Sequence, residues 1–207
     1  MKLAIFGATG SVGRLAVNQA LEQGHTVTAL VRDPGKIEIR PEGLRLIKGD
    51  VMNAAAVGQA VQDQDAVLCI LGAGRKGKVR SEGTRQIIEA MKQARVKRLI
   101  CQSSLGVGDS RGNLNFVWKY IMFGLLLRPA YADHVLQEEY VMKSGLDWTI
   151  IRPAAFTDGP RTGVYQHGFT GAAEGLTLKI SRADVADFLI KQLSDNTYLH
   201  KTPGLSY

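Results

Sequence analysis

Apolar positions along the chain fall into two alternating patterns. Leu3-Ala4-Ile5-Phe6 is an unbroken apolar run closed by Gly7, as expected of a strand buried on both faces. From Ser11 to Gln23, Val12, Leu15, Ala16 and Ala20 recur at helical spacing, and Gly24 ends the pattern. The alternation continues with strands over Thr26–Val31 and Leu44–Lys48, a helix over Asn53–Val61 and a strand over Asp65–Leu71. A helix over Val79–Ala94 aligns Ile87, Ile88 and Met91 on one face, and Arg98–Cys101 reads as the fifth strand. Beyond Gln102 come a polar loop to Asn113, an apolar helix within Leu114–Leu127, and a further helix from about Pro129 to Ser144-Gly145. A sixth strand over Asp147–Ile151 precedes an irregular stretch, Arg152–Gly175. Ser181–Leu193 is the last helix, and the final residues suit a small edge strand. Strands alternating with helices require right-handed crossovers, so the pattern predicts an α/β fold: a doubly wound parallel sheet, with ligands at the carboxyl ends of its strands.

A chain of 207 residues, 45% hydrophobic and 22% charged, suits a single domain. At this size roughly 70% of the surface of the unfolded chain can be buried, so neither disulfide nor metal is needed. The two cysteines, Cys69 and Cys101, each lie in an apolar run without metal-site or redox-pair spacing, which points to a reducing, cytoplasmic setting. The four apolar residues after Met1-Lys2 are too few for a secretory signal. Lys119 and Gly124 interrupt the apolar run 114–127, which falls short of the about 20 residues a membrane span needs; it reads as a buried or interfacial helix. Net charge is +7, which favours anionic partners. A phosphorylated small molecule meets that condition, and no basic helix or aromatic platform argues for nucleic acid.

Gly7-Ala8-Thr9-Gly10-Ser11-Val12-Gly13 joins the first strand to the first helix. There a glycine backbone can approach a pyrophosphate closely, and the open N–H groups of the helix start favour an anion. Within a strand-turn-helix context this marks nucleotide binding rather than a tight turn alone. The end of the second strand is where a dinucleotide ribose lies, and it carries Arg32, with Lys36 one turn on. A guanidinium suits a 2′-phosphate, which favours NADP(H); Asp33 is the competing candidate, for a free ribose.

These residues resemble a known family. Phe6 to Gly10, Val31-Arg32-Asp33, Gly49-Asp50-Val51, Gly145 to Thr149 and Arg152-Pro153 are similar to atypical, NmrA-like short-chain dehydrogenase/reductases of Rossmann fold. Asp65-Ala66-Val67, Leu71-Gly72, Ser81-Glu82-Gly83, Ser103-Ser104 and Asp158-Gly159-Pro160 with Thr162 to Tyr165 look like its flavin reductase and biliverdin reductase branch. The resemblance implies that Gly7, Thr9, Gly10, Ser11 and Val12 hold the pyrophosphate, Arg32 and Lys36 the 2′-phosphate, and Asp50 and Val51 the adenine. It implies that Leu71 and Gly72 line the cofactor, and that Ser103, Ser104, His134, Pro153 and Ala154 surround the nicotinamide ribose and ring. Residues 1–207 then form one NAD(P)-binding domain with a small C-terminal substrate-side appendage, and segments 105–130 and 152–180 face the substrate. The segment 105–127 departs from the branch, and Ala155 stands where the branch has a histidine.

One absence shapes the expected chemistry. Ketone reduction in the short-chain class needs a Tyr to protonate an alkoxide and a Lys four residues later to lower its pKa. Four residues after Tyr120, Tyr131, Tyr140, Tyr165 and Tyr198 stand Gly124, Val135, Ser144, Phe169 and Thr202, and Tyr207 closes the sequence. By the resemblance His134 takes the place of that lysine, either bonding a ribose or merely pairing with Asp133 in the first turn of a helix. An acceptor that spreads the incoming charge over a conjugated ring needs no strong local acid. The expectation is therefore an NADPH-dependent reductase of flavins, bilins or similar rings, with Ser104 as the candidate catalytic residue, no metal, no membrane and no nucleic-acid partner. The competing expectation is a non-catalytic NADP(H) sensor that uses the apolar helix as its contact surface.

Overall fold

The computed structural model describes residues 1–37, 41–75 and 77–207; the Lys36 side chain lies outside this description. The strands are β1 (Lys2–Phe6), β2 (Thr26–Val31), β3 (Leu44–Lys48), β4 (Ala66–Cys69), β5 (Arg98–Gln102), β6 (Asp147–Pro153), β7 (Ala155–Thr157), β8 (Gln166–His167), β9 (Lys179–Ser181) and β10 (Gly204–Ser206). The α-helices are α1 (Ser11–Glu22), α2 (Ala54–Val61), α3 (Val79–Ala94), α4 (Arg128–Met142) and α5 (Arg182–Lys191). Among the described residues eight strands form one sheet in the order β3-β2-β1-β4-β5-β6-β10-β8. Every pairing in it is parallel except β10 with β8. β7 and β9 make a separate parallel pair. The protein is thus a single α/β domain of Rossmann type.

Burial on both faces explains why the strands read as unbroken apolar runs. α1 and α5 cover one face, over Leu3, Ile5, Val27, Leu68 and Ile100. α2, α3 and α4 cover the other, over Ala4, Phe6, Val67, Leu99 and Ile150. Local caps set the helix starts: Asn53 Oδ1 accepts from Ala56 N at 3.1 Å, and Ser181 Oγ from Asp184 N at 3.0 Å. The start of α3 is capped from another helix, because the Asp133 carboxylate on α4 accepts from the Arg80 and Ser81 N–H groups, each at 3.0 Å. Asp133 therefore pairs with α3, not with its neighbour His134, and His134 lies beyond the first turn of α4. Burial alone would raise the Asp133 pKa, but the Ser81 and Arg80 donors and the Arg80 charge outweigh it and hold Asp133 below the usual carboxylate range.

Two sequence expectations are corrected, and of two alternatives left open for the apolar helix one is removed. The last strand, β10, is internal: it runs parallel to β6 and carries β8 at the edge. The stretch called irregular holds β7 and β8. The apolar helix is not core, since Val117–Leu126 is π-helical and none of its residues is buried. A ten-residue π-helix is unusual, because π geometry normally occurs as a single turn, often at functional sites. It runs directly into α4 and packs chiefly on it.

Within the apolar β6 one residue is charged and almost fully buried. Arg152 Nε and Nη2 donate to the two Glu138 carboxylate oxygens on α4 at 3.0 and 2.7 Å, and Nη1 bonds Asp109. The bidentate pair offsets the cost of burying both charges. It also ties α4 and the 108–113 loop, the two supports of the π-helix, to the sheet.

Candidate functional site

At the carboxyl ends of β1, β2, β3 and β4 lies an open groove of about 1210 Å³. It is lined by Gly7, Thr9, Gly10, Ser11, Val12, Arg32, Asp50, Val51, Leu71 and Gly72, so these sequence-named positions are brought together. Gly7 sits at φ +89°, and a Cβ there would lie 2.1 Å from the Ile70 carbonyl oxygen. A Cβ on Gly13 would lie 2.1 Å from the Gly7 carbonyl oxygen. Those two glycines close the loop against β4 and against α1. Gly10 differs: at φ −73° it needs no left-handed freedom, and its Cβ position meets only the Gly7 oxygen, at 3.1 Å. It begins α1 with no side-chain cap, so space and unpaired N–H groups coincide where a phosphate would sit. This backbone cradle fits a dinucleotide pyrophosphate.

Across the groove the Arg32 side chain is exposed, while Asp33 Oδ1 accepts from Gly35 N at 3.0 Å and caps its own turn. That geometry favours Arg32 over Asp33 as the group facing the ribose. Asp50 likewise turns one oxygen to Met52 N at 2.9 Å, and Val51 packs where a Cβ on Gly83 would lie 2.9 Å from it.

Beyond Leu71 and Gly72 the groove meets an apolar cavity of about 230 Å³. Leu71, Gly72, Gln102 and Phe156 line both. The cavity holds Ser103, Ser104, His134, Pro153 and Ala154 from the sequence-named set, with a wall of Leu105, Leu114, Trp118, Phe123, Leu127 and Leu178. Ser104 Oγ donates to the Leu105 carbonyl at 3.3 Å. Ser103 Oγ and Gln102 Oε1 are buried without a partner, which marks the junction of groove and cavity as a place where polar groups await a ligand. Gln102 escaped the sequence reading; its signal was a polar residue closing the apolar run Leu99-Ile100-Cys101.

His134 is held neutral. Burial, with Arg80 nearby, lowers its pKa to about 4. Its Nδ1 lies 3.2 Å from Gln137 Oε1, and Gln137 Nε2 donates to Thr84 Oγ1 at 3.0 Å. Since a Gln oxygen only accepts, Nδ1 carries the proton and Nε2 keeps its lone pair for a hydroxyl such as that of a ribose. Arg80, the cavity's cation, donates to Gly74 O at 3.0 Å and lies 3.5 Å from the Asp133 carboxylate, so its charge is balanced locally. Among the described residues no group of three or more His, Cys, Asp or Glu side chains is placed to hold a metal, and no helix is long and apolar enough to cross a membrane.

Comparison with known proteins agrees with this geometry. Residues 7–196 match the model of the NAD(P)H-binding family. The UPF0659 protein YMR090W of Saccharomyces cerevisiae is 31% identical over 218 residues, spanning 99% of this chain and 92% of its own. Among solved structures, a Rossmann-fold NAD(P)-binding family protein from Shigella flexneri superposes with a TM-score of 0.75 at 29% identity, covering 99% of this chain and 92% of that one. ChuY of Escherichia coli O157:H7, an anaerobilin reductase, superposes with a TM-score of 0.83 at 25% identity, covering 100% and 97%.

Proposed function

The chain belongs to the NAD(P)H-binding family, and from that premise we propose that it is an NADPH-dependent reductase of a planar conjugated acceptor, of the flavin, bilin or quinone class. The observation that carries the reading is the junction: an apolar cavity opens onto the nucleotide groove at the carboxyl ends of the strands, with Gln102 Oε1 unpartnered where they meet and Ser103 Oγ unpartnered on the cavity side. Bound NADPH supplies a hydride from its nicotinamide ring. The glycine cradle and Arg32 hold the dinucleotide, His134 Nε2 accepts from the ribose, and Gln102, Ser103, Pro153 and Ala154 fix the ring. Segments 105–130 and 152–180 serve the substrate side, supplying Trp118 and Phe123 from one and Phe156 and Leu178 from the other. Holding two flat rings together replaces a bimolecular encounter and supplies most of the acceleration.

Among the described residues that line the cavity, none is suited to protonating an alkoxide. His134 is neutral at pH 7, with its proton committed to Gln137, and the Ser104 hydroxyl is turned to a backbone carbonyl. An acceptor whose reduced anion is delocalised takes its proton from water. Cys69 and Cys101, free thiols on adjacent strands, support a reducing, cytoplasmic setting. NADPH absorbance followed with FMN, a bilin and a short-chain quinone, beside simple ketones, tests the reading. Turnover of conjugated acceptors with inert ketones is expected. Ketone reduction alone would overturn it, and tight NADPH binding without turnover of any acceptor would mark a sensor instead.

A further inference from the structure

The π-helix Val117–Leu126 has two apolar faces. Trp118 and Phe123, with Leu127 just beyond, point into the cavity. On the other side Phe116, Val117, Tyr120, Ile121, Leu125 and Leu126 are between 43% and 72% exposed. Exposed apolar surface gathered in this way marks an interaction site rather than ordinary surface. Its charge is one-sided too: residues 110–132 contain Arg111, Lys119 and Arg128 and no Asp or Glu. Arg111 lies 6.0 Å from the Tyr131 ring, which itself packs 5.4 Å from Phe123. Gly77 abuts Pro129, and Lys78 beside it is exposed.

We propose that this face docks on an anionic lipid surface and that the acceptor is a membrane-soluble quinone entering the cavity from it. The second part deepens the reductase reading and rests on it; the docking does not. Apolar and aromatic residues with Arg111, Lys119 and Arg128 in the same segment, beside an Asp109 already paired with Arg152, form the pattern that settles at the headgroup boundary of anionic lipids. A second copy of this chain is a poorer occupant, because a two-fold contact would set Arg111, Lys119 and Arg128 against one another with no carboxylate between 110 and 132 to meet them. Inside, among the described lining residues, Arg80 lies beside Asp133 and His134 is neutral. At about 230 Å³ it falls below the about 300–1,000 Å³ of pockets that enclose drug-sized ligands, which suits the head ring of a quinone better than a tetrapyrrole carrying carboxylates. In the reaction the quinone accepts the hydride with both its electrons, forming an O–H bond as the C–H bond at nicotinamide C4 breaks. The hydroquinone anion then takes one proton from water, and NADP⁺ is released.

Flotation of the full chain, loaded with NADPH, with vesicles of phosphatidylcholine alone or mixed with phosphatidylglycerol tests the docking. Capture by the mixed vesicles about tenfold above the neutral ones, and lost in high salt, is expected. The double variant Phe116→Ser with Leu125→Ser, at positions that do not line the cavity, should lose about tenfold of that capture. It should still reduce a water-soluble short-chain quinone at the unaltered rate, yet fail on a long-chain quinone held in vesicles. Equal capture by both vesicle types, or capture unchanged in the double variant, would overturn the docking. Concentration-dependent self-association that the double variant abolishes would assign the face to a second copy and overturn it as well. If vesicles capture the protein and it reduces FMN or a bilin but no quinone, the acceptor assignment falls while the reductase reading stands. Capture with no turnover of any acceptor would instead remove the reductase reading and leave the docking intact.

Discussion

The end of the groove proposed for the pyrophosphate is made of backbone, whereas the cavity end is made of side chains borne by an exposed segment. At the first, Gly7 and Gly13 are packed so closely that a single methyl group would collide with main-chain oxygen, and the following residues of α1 are anchored in the core. At the second, Trp118 and Phe123 hang from a π-helix with no buried residue, steadied through α4 and a short loop. Cofactor recognition therefore depends on shape that no side chain can restore. Acceptor recognition depends on residues that can change without disturbing the sheet.

The harshest test of this contrast lies in the glycines. Gly7→Ala should cost about 2–5 kcal/mol of stability, from the left-handed backbone and the clash with the Ile70 oxygen together. Gly10→Val should abolish NADPH binding with the fold retained, because its side chain would fill the space of the groove alone. Calorimetric titration beside thermal melts separates the two outcomes, and a Gly10→Val protein that binds NADPH normally would remove the pyrophosphate from this loop.

Next comes Arg152→Ala, which leaves the Glu138 carboxylate buried and unpaired and should lower stability by about 3–5 kcal/mol in urea titrations. Replacing both partners, as Arg152→Met with Glu138→Leu, should recover most of that loss. A single variant as stable as the parent would show that the cavity side needs no such anchor.

A smaller effect is expected at the ribose. Arg32→Ala should reduce the preference for NADPH over NADH by about 10- to 150-fold, the equivalent of about 1.5–3 kcal/mol for hydrogen bonds to a charged group. Measured dissociation constants for both nucleotides decide it, and an unchanged ratio would return the role to Asp33.

His134 gives a pH signature. Its pKa is about 4 in the fold and about 6.5 when unfolded, so unfolding takes up a proton between those values. Stability linked to this residue is fully present above about pH 6.5, declines as pH falls toward 4, and changes no further below that. In His134→Asn the decline between pH 6.5 and 4 should be shallower in melts collected across that range. The least effect is expected for Ser104→Ala, whose hydroxyl already serves Leu105: turnover should fall less than about tenfold, against the about 10²–10⁴-fold that an obligatory acid would cost. A larger loss would make Ser104 a proton donor and overturn the view that water suffices.

The difference between the two ends also explains which parts were legible in the sequence. The central strands such as β1 and β4 stood out because burial on both faces leaves continuous apolar runs, the edge strand β3 from the alternation of Leu44, Leu46 and Ile47 with Arg45 and Lys48, and the glycine loop because its backbone constraint admits few residue types. Gly204-Leu205-Ser206 is wholly buried yet carries one large apolar residue, so its place inside the sheet left no pattern to read. Gln166-His167 is exposed, pairs with β10 through its backbone and sets the His167 ring against Phe188 and Tyr198, contacts too distant in sequence to leave a local pattern. The run 114–127 could be read as buried or interfacial but not as one of the two, because composition reports apolarity and not what it faces. Arg152 fell just past the strand read over Asp147–Ile151, and nothing in one dimension marked it as buried or singled out Glu138 from the adjacent Glu139 as its partner.

A helix wound with five-residue hydrogen bonding spends more residues per turn than its α-helical continuation, and this bears on how such proteins diversify. Where Val117–Leu126 meets α4, loss of one residue would be absorbed by tightening a π turn into an α turn, and gain of one by the reverse. Either event would rotate Trp118 and Phe123 relative to the cavity while Arg152 and Glu138 kept α4 in place. Single-residue insertions and deletions here would thus let a lineage try new ring acceptors without first finding a new fold or cofactor.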